Sequence, residues 1–273
     1  MKRFLLIGLS IVLLCSGLPA TSEPLHSGMA NKHTFILGFY DQDVDAGIFS
    51  RKANGQSIAV DTDKLGIGEA KTDWTFEYRY RLTDKWVLSA SVYNYNGGTS
   101  VFVSQEFEFD GVVFEAGAEL KTSTDIDTYM FDALYEVYGS DRAQLLVGGG
   151  LHLFDISSSI KTRVFAGDEN QTAARAGNDL LAPLPNLRLQ GFYAFSPKWA
   201  VVTTLGWLSF NYDEYDGAFT YVNVRATYQI GKGFGAGLGY QYTDMDFTRT
   251  NDSGKAGIDA QLNGPSVYLA YRF

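Results

Sequence analysis

The stretch Gly264-Pro265-Ser266-Val267-Tyr268-Leu269-Ala270-Tyr271-Arg272-Phe273 decides how the rest of the chain is read. Side chains alternate across a strand, so Val267, Leu269, Tyr271 and Phe273 share one face. Ser266, Tyr268, Ala270 and Arg272 share the other. A soluble sheet would seldom leave such a strand at its very end, finishing on a bare aromatic. A sheet that crosses a membrane needs the pattern, because lipid-facing and lumen-facing residues alternate and aromatics sit at the interfaces.

The opposite end agrees. Lys2 and Arg3 precede an apolar run from Phe4 to Leu14, followed by small and turn-forming residues up to Ala20. This is the layout of a secretory signal peptide, and the run is too short for a spanning helix. Residues 1–20 are expected to be removed, with Ala30 as an alternative cleavage point, leaving one domain over 21–273. Cys15 follows Leu14, where lipidation would want a small residue. With Cys15 gone, no cysteine remains for a disulfide.

The 273 residues carry a formal charge of −9, and loss of Lys2 and Arg3 takes it to −11. An acidic chain is a poor partner for nucleic acid, which wants a basic stripe. Charged residues are 19% of the total, beside 17 Tyr and 19 Phe, an unusual pairing for a soluble acidic domain. Beyond the signal there is no apolar run near the ~18 residues a helix needs to span a membrane. The chain is therefore a soluble β-protein or a barrel.

The strands distinguish the two. Alternation predicts them over 34–45, 72–83, 86–96, 125–138, 143–156, 184–195, 199–211, 217–230, 234–247 and 262–273. Thr83-Asp84-Lys85, Gly139-Ser140-Asp141-Arg142, Ser196-Pro197-Lys198 and Gly231-Lys232-Gly233 read as tight turns. Longer polar loops are expected over 46–71, 97–124, 157–183 and 248–261, with a brief link at 212–216. Short turns on one side and long loops on the other fit a single up-and-down antiparallel transmembrane β-barrel of about ten strands (range eight to twelve), all-β in class.

Face by face, Trp74, Phe76, Tyr78, Tyr80 and Leu82 oppose Thr75, Glu77, Arg79 and Arg81. Ala218, Thr220, Val222, Val224, Ala226 and Tyr228 oppose Tyr221, Asn223, Arg225, Thr227 and Gln229. Trp199 and Trp207 share a face, and at ~3.3 Å per residue and ~40° tilt they lie roughly 20 Å apart along the normal, close to the ~25 Å apolar band. Trp74, Trp86, Trp199, Trp207, Tyr271 and Phe273 are the candidate membrane-interface aromatics.

Signal segment, alternating strands and the closing Tyr271-Arg272-Phe273 together resemble the small outer-membrane β-barrel proteins of Gram-negative bacteria, the group that includes the OmpA transmembrane domain and OmpW. The resemblance covers the whole chain as a pattern. It implies residence in the cell outer membrane, contact with outer-membrane lipids and lipopolysaccharide, and recognition of the C-terminal strand by the barrel-insertion machinery. A monomer is expected. No motif singles out an activity, and the porin-like pattern implies no cofactor.

Inside, the alternation collects Glu77, Arg79, Arg81, Asp132, Glu136, His152, Arg188, Arg225 and Arg272 as a lumen charge network. Arginine's planar fork grips carboxylates two-pronged and tolerates partial burial. The leading reading is a structural or narrow-lumen barrel without catalysis, its interior filled by ion pairs. The alternative is a small anion-selective pore. An outer-leaflet lipid hydrolase is the third reading, and it needs a His within hydrogen-bond reach of a nucleophile. His26 and His33 lie near the N-terminus, Ser157-Ser158-Ser159 stand roughly 17–23 Å along the strand from His152 at ~3.3 Å per residue, and Ser89 and Ser91 belong to a non-adjacent strand. Omptin-type proteases want a His beside Asp residues high on the outer side, and none lies there, so no enzyme is expected.

Asp41, Asp43 and Asp45, with Asp213, Glu214 and Asp216, form weak metal candidates at the outer rim. An EF-hand fails, because Ala46 stands where Gly is needed and Lys52 where Glu is needed. Lastly, Asp110-Gly111 within Gln105–Phe114 predicts a two-residue hairpin turn and a protruding ribbon.

Overall fold

A computed structural model describes residues 23–52, 57–61, 71–97, 100–102, 107–109, 112–114, 119–166, 169–212, 214–251 and 254–273. Residues 1–20, expected to be a signal peptide, and Asp110 and Gly111, expected to form a turn, lie outside these residues. Ten long strands form the wall: β1 (His33–Lys52), β2 (Lys71–Arg81), β3 (Trp86–Gly97), β4 (Glu119–Gly139), β5 (Ala143–Ala166), β6 (Glu169–Ala194), β7 (Trp199–Tyr212), β8 (Tyr215–Gln229), β9 (Phe234–Asn251) and β10 (Gly254–Arg272). Each pairs antiparallel with the next, and β10 returns to β1 with Phe35 opposite Tyr271 and Leu37 opposite Leu269. His33 N donates to Phe273 O at 2.9 Å and Phe273 N donates to His33 O at 3.1 Å, which seals the seam. A closed sheet has no free edge, so every ladder group finds a partner where no water is available.

At one end the turns are short and locally encoded. Thr83, Ser140 and Ser196 each use a hydroxyl to accept the amide three residues on, from Trp86, Ala143 and Trp199, at 3.0 Å each. The opening stretch has its own requirement: a Cβ at Gly264 would sit 1.8 Å from Asp41 O, so only glycine fits there.

The other end differs from expectation. Segments 157–183 and 248–261 were expected to be loops, and β5 and β6 instead run 24 and 26 residues, pairing out to Ala166 and Glu169. β9 and β10 likewise pair out to Asn251 and Gly254. Crossing the bilayer takes only about 9–11 residues. Beyond the lipid the outer face no longer has to be apolar, so the alternation fades while the backbone ladder continues. Short strands Ser57–Asp61 and Ser100–Phe102 extend the wall beside β1 and β4. The expected hairpin is present as Phe107–Phe109 paired with Val112–Phe114, a separate two-stranded sheet.

The faces sort as the alternation requires. Leu187 (66% exposed), Leu238 (64%) and Leu269 (65%) point outward, while Tyr268 and Ala270 are buried inside. Apolar groups this exposed on so many strands suit a hydrocarbon surround, and water would penalise them.

Candidate functional site

The lumen is the site to build, and it begins at the short-turn end with a segment from outside the wall. Residues 25–29 fold back into the barrel mouth. Leu25 N donates to Asp141 O (2.7 Å), and a single 3₁₀ turn, Ser27–Met29, follows. His26 caps that turn, its Nδ1 accepting from Gly28 N at 3.0 Å. Met29 is buried against Phe192, Ala194, Ala200 and Val202 of β6 and β7. Ser27 Oγ donates to Gln229 Oε1 (3.0 Å), and Met29 O accepts from Arg81 Nη2 (2.7 Å) and Gln144 Nε2 (3.2 Å). Burial, assisted by the Arg272 charge and partly opposed by the Lys198 backbone, pushes the His26 pKa down to about 4. The sequence signals for this return are slight: Ser27-Gly28 as a turn and Met29 as a lone apolar residue.

Arginines form the next layers. Arg81 Nη1 meets Glu136 Oε2 at 3.3 Å. Arg225 grips Glu77 with two nitrogens, at 2.5 and 3.4 Å, across the lumen. Arg188 grips Asp132 in the same two-pronged way at 2.8 and 3.2 Å, and Ser89 Oγ donates to that carboxylate at 3.2 Å. The Arg188 guanidinium also lies 4.4 Å from the centre of the Tyr221 ring. Gly150 makes room for this pair, since a Cβ there would stand 2.3 Å from Asp132 Oδ1. Two cations stand apart. Arg272 donates to neutral partners, Gln229 (2.7 Å) and Thr227 (3.1 Å). Arg79 forms no ion pair among the described residues, and its Nη2 is buried without a hydrogen-bond partner. The interior positions thus carry five arginines against Glu77, Asp132 and Glu136.

His152 sits with this cluster, in contact range of Arg188 Nη2 and Asn186 Nδ2 at 3.4 Å each. Ser89 Oγ donates to Asp132, and the Arg188 guanidinium lies against both that carboxylate and His152. Ser157–Ser159 side chains lie outside the described residues. His33 is at the short-turn end, hydrogen-bonded to Tyr78 Oη at 2.9 Å and stacked 4.9 Å from Phe273.

Above the charges lies a layer the residue-by-residue reading missed. Val44, Tyr95, Met130, Phe219, Met245 and Leu262 meet inside the barrel as one apolar cluster. Its one visible trace is Phe219 and Tyr221, large aromatics on the face opposite Ala218 and Thr220. Between the layers are two cavities of about 20 Å³ each, one beside Glu77 and Arg225, the other beside His152 and Phe219. A site needs ~10–15 Å³ to hold a single water, so each has room for one.

Trp74, Trp86, Trp199, Trp207, Tyr271 and Phe273 all point outward and are exposed. The acidic rim does not converge. Asp41 accepts from Thr72 Oγ1 (2.8 Å), Glu214 from Arg249 (2.8 Å) and Asp216 from Asn211 (2.8 Å), while Asp213 lies outside the described residues. Among the described residues no three carboxylates or imidazoles gather into a metal-holding group.

Comparison with solved structures places this architecture. The outer-membrane protease OmpT from Escherichia coli superposes with a TM-score of 0.63 at 11% identity, covering 89% of this chain and 97% of that one. The toluene transporter TbuX of Ralstonia pickettii aligns at 12% identity over 92% of each chain, TM-score 0.39. The attachment invasion locus protein Ail of Yersinia pestis aligns at 9% identity over 88% of this chain and 98% of its own, TM-score 0.28. No family model and no curated protein matches the sequence. The likeness to OmpT is one of fold: a closed, up-and-down, ten-stranded antiparallel barrel of the outer-membrane kind.

Proposed function

We propose that this chain is exported by its signal segment to the outer membrane of a Gram-negative cell and works there as a closed, non-catalytic barrel. It would hold its extended strand hairpins above the membrane, with lipopolysaccharide and lipids around the wall. The observation that carries this is the stacked lumen: residues 25–29 in the mouth, three arginine–carboxylate pairs above them, and the Phe219–Met245 apolar layer above those. Apolar constrictions close by dewetting, and paired charges offer a passing ion nothing to replace its water. Reconstitution in planar bilayers tests it: no steady conductance is expected in chloride or in larger anions.

One observation favours a second reading, a small anion-selective pore. Arg79 and Arg272 have no carboxylate partner among the described residues, leaving two positive charges along the axis. A steady conductance that falls when Arg79 is neutralised would decide for the pore.

A further inference from the structure

The outer wall carries a trough. Across β2 to β6 the lipid-facing surface sinks into a groove of about 660 Å³. Small residues make its floor: Ala133 lies directly opposite Gly149, and Ala90 lies on the neighbouring strand. Tyr78, Tyr80 and Phe131 rise as walls. With strands ~4.8 Å apart, five strands give the trough a width of about 19 Å across the sheet. Tyr78, Tyr80, Ala90, Phe131, Ala133 and Gly149 all hold the outward positions of their strands, and the inward positions Ser89, Asp132, Gly150 and Asn186 complete the lining between them. A smooth barrel wall would put larger residues at these three floor positions, and a Cβ on Gly149 would meet nothing nearer than Asn186 O at 3.8 Å, so space does not impose the glycine.

One end of the trough is charged. At the short-turn end, Lys32 Nζ lies 5.9 Å from the Tyr80 ring centre and Lys85 Nζ lies 5.7 Å from the Tyr135 ring centre. Both lysines are exposed, and both are anchored through their backbones: Lys32 O accepts from Arg81 N (2.9 Å) and Lys85 O from Glu136 N (2.8 Å). Asp84 is the acidic neighbour in the same turn. The short-turn end of an outer-membrane barrel faces the periplasm, so the lipids on this side are those of the inner leaflet. An apolar trough whose Tyr80 wall carries Lys32, with Lys85 over Tyr135 at the same short-turn end, matches a lipid with a long chain and an anionic headgroup.

We propose that this trough holds an acyl chain of an anionic glycerophospholipid of the periplasmic leaflet, with its phosphate between Lys32 and Lys85. The site is independent of whether the lumen conducts.

Native mass spectrometry of the full-length mature protein in mild detergent, titrated with phosphatidylglycerol or phosphatidylethanolamine, tests the site. The unmodified protein should retain one phosphatidylglycerol on collisional activation and prefer it over phosphatidylethanolamine by roughly thirtyfold, as two interfacial cations would produce. Lys32→Gln with Lys85→Gln should abolish the preference and leave residual binding of both lipids. Ala133→Leu and Gly149→Leu, made singly so that at least one folded variant is available, should remove the retained lipid. Val224→Leu, on the outer wall of β8, should change nothing. Heat-modifiable gel migration reports whether each variant is folded. Equal retention of the two phospholipids by the unmodified protein, unchanged binding in a folded trough-filling variant, or retention of lipid A instead would overturn the proposal.

Discussion

The Arg81 guanidinium donates to the Met29 carbonyl at 2.7 Å, tying the wall of the barrel to the segment that fills its mouth. The same guanidinium holds Glu136, so the mouth closure and the lowest ion pair are one connected unit.

Two closures in series behave differently from one. Deleting residues 23–31 should leave the bilayer conductance at its closed level, because the apolar layer remains above. Phe219→Ala with Met245→Ala should also leave it closed, because the segment remains below. The combined variant should show a small conductance, limited by the arginine–carboxylate pairs that remain between the two, and single-channel recording of the three compares them directly.

The Arg188–Asp132 pair should matter to stability. Its side chains are 1% and 9% exposed, and Asp132→Asn strands a cation among apolar and aromatic neighbours. Losing one partner of such a pair costs about 3 kcal/mol. Glu214→Gln removes an exposed partner from Arg249 and should leave the unfolding midpoint nearly unchanged. Urea unfolding in lipid vesicles, followed by tryptophan fluorescence, measures both.

His26 should make the mouth segment acid-sensitive. The folded state depresses its pKa to about 4 from an ordinary 6.5, so folding favours the neutral ring. Its contribution is complete above pH 6.5 and is lost progressively as the pH falls from there towards 4. Protease cleavage within residues 23–31 should rise over that window, and His26→Gln should flatten the rise.

Phe273 should act in assembly more than in the finished barrel. Its ring is exposed on the outer wall, 5.5 Å from Tyr271, while its backbone closes the seam with His33. Phe273→Glu keeps the backbone bonds and removes the aromatic end of the closing strand. Pulse-chase labelling should show slow, incomplete acquisition of the heat-modifiable form. Once purified, that form should unfold within ~1 kcal/mol of the unmodified protein, as a surface substitution does.

The wall was legible residue by residue because a strand's period of two needs no knowledge of its neighbours. Val267 to Phe273 sort into lipid and lumen faces from their own spacing, and Thr83, Ser140 and Ser196 encode their turns within four residues. The same logic placed Glu77, Arg79, Arg81, Arg188, Arg225 and Arg272 inside. It did not say who would hold whom. Arg225 and Glu77 are 148 positions apart and meet only because the barrel closes and its register sets them at one height.

The sequence by itself therefore determined an inside-out β-barrel: its strands, its short-turn end, its lipid face and an arginine-rich interior. Each of these follows from local alternation against a medium that is apolar on one side. Only the tertiary structure decided that residues 25–29 return into the mouth, that Val44, Tyr95, Phe219 and Met245 join into a layer, and that small outer residues align as a trough. The physical reason is that these features depend on stagger between strands and on contacts across the closed sheet. Register and closure are properties of the whole ring of strands, and no single stretch of chain carries them.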